Sequence, residues 1–142
     1  MRATYWDAAW IGGARNDVAV DVALMWTAGP RTRIRGFVDN ARVRRGMHLR
    51  GLARGLFEAF VALDPGRFRT VHHAAFREVL HPGLVAALQV KLEHPRFGSA
   101  MGDQLENPEV LASVAGVVTE QLAARLRDDR QLREALLARM PA

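Results

Sequence analysis

Histidine is the side chain whose ordinary pKa lies nearest neutrality, and His48 follows Arg42, Arg44 and Arg45 at the start of a helical pattern. An anion would bind such a helix start through exposed N–H groups and guanidinium charge; the plainer reading is a histidine that packs and caps its own helix. Asp39 and Asn40 stand shortly before it at a strand end. Asp39 and His48 together would form the general acid–base pair of a small-molecule enzyme, an isomerase, cyclase or hydrolase with a pocket near His48. A carboxylate after a strand is equally an ordinary turn former. His72-His73, His81 and His94 yield no ligand pair, because adjacent histidines oppose on a strand and diverge by about 100° on a helix, so no metal is expected. Ser99 lacks a histidine–acid partner at a useful spacing. The absence of cysteine excludes disulfides, thiolate-bound metals and a cysteine nucleophile. No glycine-rich phosphate loop is present, Gly12-Gly13 reading as an ordinary hairpin signal, and no cofactor is expected.

Arginine carries the charge. Of 20 basic residues only Lys91 is lysine, and against 15 acids they leave a formal charge of +5. Between Arg31 and Arg54 eight arginines (31, 33, 35, 42, 44, 45, 50 and 54) meet one acid, Asp39, whereas Asp103 to Glu134 holds seven acids and four arginines. Arg33, Arg35, Arg42, Arg44, Arg45, Arg50 and Arg54 are therefore candidate contacts for phosphates or an acidic protein, with a solvated rim as the bland alternative.

These side chains need a scaffold, and 142 residues with 49% hydrophobic content suit one compact domain, 1–142. Apolar runs are too short to cross a membrane and the opening residues lack a signal sequence, so a cytoplasmic protein is expected. Aromatic and apolar residues at 3–11, then Gly12-Gly13 and Asn16-Asp17, predict a hairpin. Val18, Val20, Val22, Leu24 and Trp26 alternate with Ala19, Asp21, Ala23 and Met25, as a half-buried strand requires. Ile34 and Val38 oppose Arg33, Arg35 and Phe37 in a third strand, and three successive antiparallel strands are implied. Trp6, Trp10 and Trp26 share parity and read as sheet core.

Leu49, Leu52, Leu56, Phe60 and Leu63 then step at helical spacing, ended by Asp64-Pro65-Gly66. A short helix over 73–80 and a fourth strand over 84–92 follow. After a small-residue loop over 94–106, Asn107 as N-cap, Pro108, Glu109 and an apolar stripe to Leu126 predict a long helix, and a last helix spans about 129–139. The order predicts a two-layer α/β (α+β) domain: a four-stranded mixed sheet, helices on one face, and Arg33, Arg35, Phe37, Gln89 and Lys91 on the other.

Taken together, the segments resemble the transducer, the second domain of the gyrase B and topoisomerase IV B proteins. Val20-Asp21-Val22-Ala23-Leu24-Met25-Trp26 is similar to that family's V-x-V-A-L-Q-W strand, Phe37-Val38-Asp39-Asn40 to its F-x-N-N, and Gly46-Met47-His48-Leu49-Arg50-Gly51-Leu52 to its G-T-H-L-x-G-F helix start. Gly83-Leu84, Val90-Lys91 and Pro95-Arg96-Phe97 resemble its next strand and loop, and Leu105 with Glu109-Val110 its entry to the long helix. The resemblance runs from about residue 15 to about residue 137.

It implies a ribosomal protein S5 domain 2-like fold. In the family, the loop after P-x-F reaches the ATP γ-phosphate through a Gln-Thr-Lys trio, which falls here on Ala100, Met101 and Gly102. Alanine and glycine have no side-chain donor for a phosphoryl group, so the ATP-contact loop reads as degenerate. On this reading the upstream nucleotide-binding domain, the DNA-cleaving tyrosine and the acidic metal-binding domain are not expected in the chain. The expectation is a free-standing, ATPase-deficient module, unable to supercoil DNA alone, that binds gyrase or topoisomerase subunits or DNA and pairs with a second copy through its sheet face or C-terminal helices.

Overall fold

The computed structural model describes residues 9–139. Strands β1 (Ala9–Arg15) and β2 (Val18–Trp26) form a hairpin closed by Asn16 and Asp17, with φ of 52° and 63°. Two successive left-handed residues make the tight turn whose twist suits antiparallel strands. The turn therefore sits at Asn16-Asp17 alone, and Gly12-Gly13 lies inside β1.

The sheet differs from the expected one. β3 (Arg33–Val38) does not pair with β2; β6 (Leu84–Lys91) lies between them, antiparallel to β2 and parallel to β3. The connection 27–32 is no tight turn but a cradle for the start of β6: Thr27 N donates to Gly83 O at 2.8 Å and Thr32 Oγ1 to His81 O at 2.7 Å. A fifth strand, β4 (Ala41–Arg42), joins the far edge through Asp39-Asn40, giving the order β1-β2-β6-β3-β4. The mixed sheet thus has five strands rather than four.

Helices α1 (Met47–Leu63) and α4 (Pro108–Asp128) cover one face, meeting Val18, Val20, Val22, Leu24, Trp26, Leu84, Ala86, Leu88 and Val90, all buried. The two helices approach closely because Gly51 and Gly55 of α1 lie against Val114 and Val118 of α4, where an added Cβ would stand 2.7 and 2.6 Å from the valine Cβ atoms. Short helices α2 (Pro65–Phe68) and α3 (His73–Leu80) add Phe68 and Phe76 edge-on to Phe60, and α5 (Arg130–Leu137) seals the end with Leu132 and Leu136. Asp64 accepts from Arg67 N, so it opens α2 as well as closing α1.

The loop over 94–106 holds structure that the sequence pattern does not foretell. β5 (Arg45–Gly46), β7 (Phe97–Gly98) and β8 (Gln104–Leu105) form a second, three-stranded sheet in the order β5-β8-β7. Gly46, at φ +137°, crosses Leu105 so closely that any Cβ would meet its backbone at 2.4 Å. Asn107 stands at the N-cap of α4 without capping it through its side chain. Its Oδ1 accepts from Arg96 N at 2.7 Å and its amide donates to His94 O and Glu109, so it ties the loop to the helix instead. Hydrogen bonding from Asn107 holds the Glu109 carboxyl below its usual range.

Candidate nucleic-acid interface on the open sheet face

No helix among the described residues covers the second face of the sheet. Register places Met25, Val85 and Arg33 in one row across the strands, Trp10, Ala23, Ala87 and Arg35 in the next, and Asp21, Gln89, Phe37 and Arg42 in a third. Arg33, Arg35, Arg42, Arg44 and Lys91 are exposed. Crowding is electrostatically visible: the neighbouring Arg44 guanidinium, then slight desolvation, then Arg35 lower the Arg42 pKa. Arg33 to Arg44 thus form one basic edge, with Asp21 as the acid of the rows described.

The remaining arginines lie elsewhere. Arg45 pairs with Asp103 at 3.2 Å, and Arg50 and Arg54 are exposed on α1, in the helical layer. Arg54 faces α3, where it and Arg77 are among the charges that lower the His73 pKa, after burial. The sequence run therefore divides into a sheet-edge group, a paired Arg45 on β5 and a helix group.

Trp10 corrects an expectation. Trp26 is fully buried and its indole N–H donates to Leu80 O at 2.7 Å, whereas Trp10 is 74% exposed. A two-residue turn pairs Trp10 with Ala23, an odd position, so even residues of β1 share the face of odd residues of β2. Parity counted through a turn misleads for that reason. Trp6 lies outside the described residues. Trp10 and Phe37 flank a groove of about 330 Å3 floored by Ala23 and Ala87, and a second of about 300 Å3 continues past the same alanines to Met25, Arg33 and Arg35.

His48 is turned inward. Its ring is completely buried against Gly36, where a Cβ would stand 2.6 Å from Nε2, and Nε2–H donates to Val43 O at 3.0 Å. Nδ1 is buried with no hydrogen-bond partner, and burial lowers the pKa from its ordinary value. Asp39 is exposed, at φ 48°, and accepts from Leu92 N; Asn40 and the Gln89 amide exchange two hydrogen bonds of 2.9 Å. No hydrogen bond joins Asp39 to His48 among the described residues, and the geometry does not favour an acid–base pair.

Ala100, Met101 and Gly102 form the exposed tip between β7 and β8, with Met101 85% exposed and Gly102 N donating to Ser99 O. Asp103 steadies the tip, accepting from Ser99 Oγ and from Arg45; these two hydrogen bonds, the hydroxyl's first, lower its pKa. A groove of about 410 Å3 separates this tip from Arg42 and Arg44. Another groove, of about 700 Å3, carries Asp17, Glu93, His94 and Glu109, but no group able to hold a metal occurs among the described residues. No helix of the described residues is long and apolar enough to cross a membrane.

Comparison with known proteins agrees with this architecture. The family model of DNA gyrase B matches residues 3–142. The DNA gyrase B protein of Borreliella burgdorferi is 32% identical over 120 residues, covering 80% of this chain and 18% of that protein. Its counterpart in Myxococcus xanthus is 27% identical over 129 residues, 89% of this chain and 16% of its own length. The chain thus spans a fifth or less of the length of the curated relatives it matches. Among solved structures, the 43K ATPase domain of Thermus thermophilus gyrase B, in complex with an aminocoumarin, is similar with a TM-score of 0.79 and 27% identity, over 95% of this chain and 37% of that one. The gyrase B structure from Myxococcus xanthus shares the fold at a TM-score of 0.81 and 22% identity, over 97% of this chain and 44% of that one. The family model spans nearly the whole sequence and the fold is shared with gyrase B structures, so this chain belongs to the DNA gyrase B family.

Proposed function

We propose that this chain is a transducer-type module of the gyrase B family, with the ribosomal protein S5 domain 2-like fold, that works by binding DNA on its open sheet face and no longer reads ATP. The basic edge carries the proposal: Arg33, Arg35, Arg42 and Arg44 stand exposed beside a sheet face that no helix of the described residues covers. Guanidinium groups suit phosphate oxygens because they offer paired donors and keep their charge. The ATP part rests on the hairpin tip, where Ala100 and Gly102 supply no side-chain donor and no cation. Gyrase or topoisomerase subunits are the competing partners, since an acidic protein face would meet the same edge. A repurposed enzyme is the weaker alternative, given a sealed His48 and a turn-bound Asp39.

Fluorescence anisotropy of a labelled duplex, titrated at several salt concentrations, tests the proposal. Four phosphate contacts predict a log–log salt slope of about −3.6, and Arg35→Ala with Arg42→Ala shifts it by about 2 units toward zero. Absence of binding at low salt, with co-purification of gyrase subunits, would move the function to the protein partner. Magnesium-dependent capture of ATP would remove the claim of a lost ATP contact.

A further inference from the structure

We propose that the open sheet face takes single-stranded nucleic acid, stacking its bases on Trp10 and Phe37 while Arg33, Arg35 and Lys91 hold the sugar–phosphate chain. The proposal rests on the basic face being a nucleic-acid interface and specifies which form it accepts.

A tryptophan exposed over 74% of its surface on an edge strand is costly to leave in water and gains by covering its ring. Trp10 and Phe37 stand in adjacent rows on β1 and β3 with β2 and β6 between them, a lateral separation of about 14 Å at the usual strand spacing. The floor between them is Ala23 and Ala87, too small to obstruct a flat ring. A four-strand platform of this width, with aromatics on its face, accommodates two or three bases. Asp21 and Gln89 line the same groove, and the Asp21 carboxylate can accept from a base amino group.

Charge and shape together select the occupant. Arg33 and Arg35 point to one face about 6.6 Å apart along β3, so they can follow a chain that carries charge at regular intervals. A duplex would meet the cations, but its bases are already stacked on one another and leave the aromatic rings unused. An acidic peptide would satisfy the arginines without supplying a series of planar faces. An unpaired strand offers both, and base–aromatic stacking tolerates any sequence.

The test uses the whole chain and a labelled oligothymidylate of about 12 nucleotides, compared with a duplex of equal length at the same salt. The single strand is expected to bind about tenfold more tightly than the duplex and to quench tryptophan fluorescence. Trp10→Ala and Phe37→Ala each reduce single-strand affinity about tenfold and leave duplex affinity within twofold, while Trp10→Phe retains most of the binding. Circular dichroism confirms folding, for which the exposed Trp10 is not required. Should both alanine variants bind the oligonucleotide like the parent while Arg35→Ala weakens single strand and duplex alike, the stacking platform falls and the basic interface stands. If neither nucleic acid binds at low salt, both fall. Displacement of the oligonucleotide by polyglutamate at equal concentration of charge would also overturn the platform, in favour of an acidic protein partner.

Discussion

One buried and one half-buried histidine illustrate what a residue type alone conveys. His48 and His81 each bury a ring nitrogen without a partner, Nδ1 in one and Nε2 in the other. Burial, and for His81 the nearby Arg77 and then His73, disfavour the charged form; the His81 pKa is pushed down to about 4. The unfolded chain takes up a proton at each site near pH 6.5, whereas the folded chain resists until lower pH. Stability from these two groups is therefore full above about pH 7 and declines as pH falls below about 6.5, for His81 down to about 4. Urea unfolding across pH 4–8 should show that decline, and His81→Gln should flatten part of it. Helical spacing correctly set His48 at the start of α1. That its ring turns inward depends on Gly36, which belongs to another element and leaves no local trace in the pattern.

Elements were legible in proportion to their length. α1 and α4 announce themselves because apolar residues recur every three or four positions over many turns, and β2 and β6 because alternation persists over 9 and 8 residues. Strands of two residues have no period to read, so β4, β5, β7 and β8 were invisible. Long-range pairing was equally hidden: nothing between Trp26 and Arg33 states that β6 will lie between their strands. The contact of α1 with α4 makes a quantitative prediction. Gly55→Ala forces a methyl into Val118 and should lower stability by about 1–3 kcal/mol in chemical denaturation. Val118→Ala should be destabilising alone yet partly rescue Gly55→Ala, giving a favourable coupling in a double-mutant cycle.

At the scale of the molecule, one covered and one open sheet face accompany a charge distribution concentrated on the open side's edge. Composition revealed the lopsidedness; topology alone divided the arginine run among a strand edge, β5 and a helix. The opposite edge is guarded differently. Gln121 of α4 accepts from Gly12 N at 3.1 Å and donates back to Gly12 O, so a side-chain amide stands where a neighbouring strand would pair with β1. Gln121→Ala leaves these backbone groups without that partner. Loss of about 1–3 kcal/mol, with concentration-dependent association in light scattering, is the expected outcome.

The placement of β6 also sets an order of events during synthesis. Its two neighbours, β2 and β3, leave the ribosome first and share no ladder, so until residue 91 has emerged each presents a bare row of amides and carbonyls towards the other. Closing that gap joins segments about 60 residues apart, a non-local step that slows folding. The nascent chain is thus most prone to mispairing just before its central strand arrives.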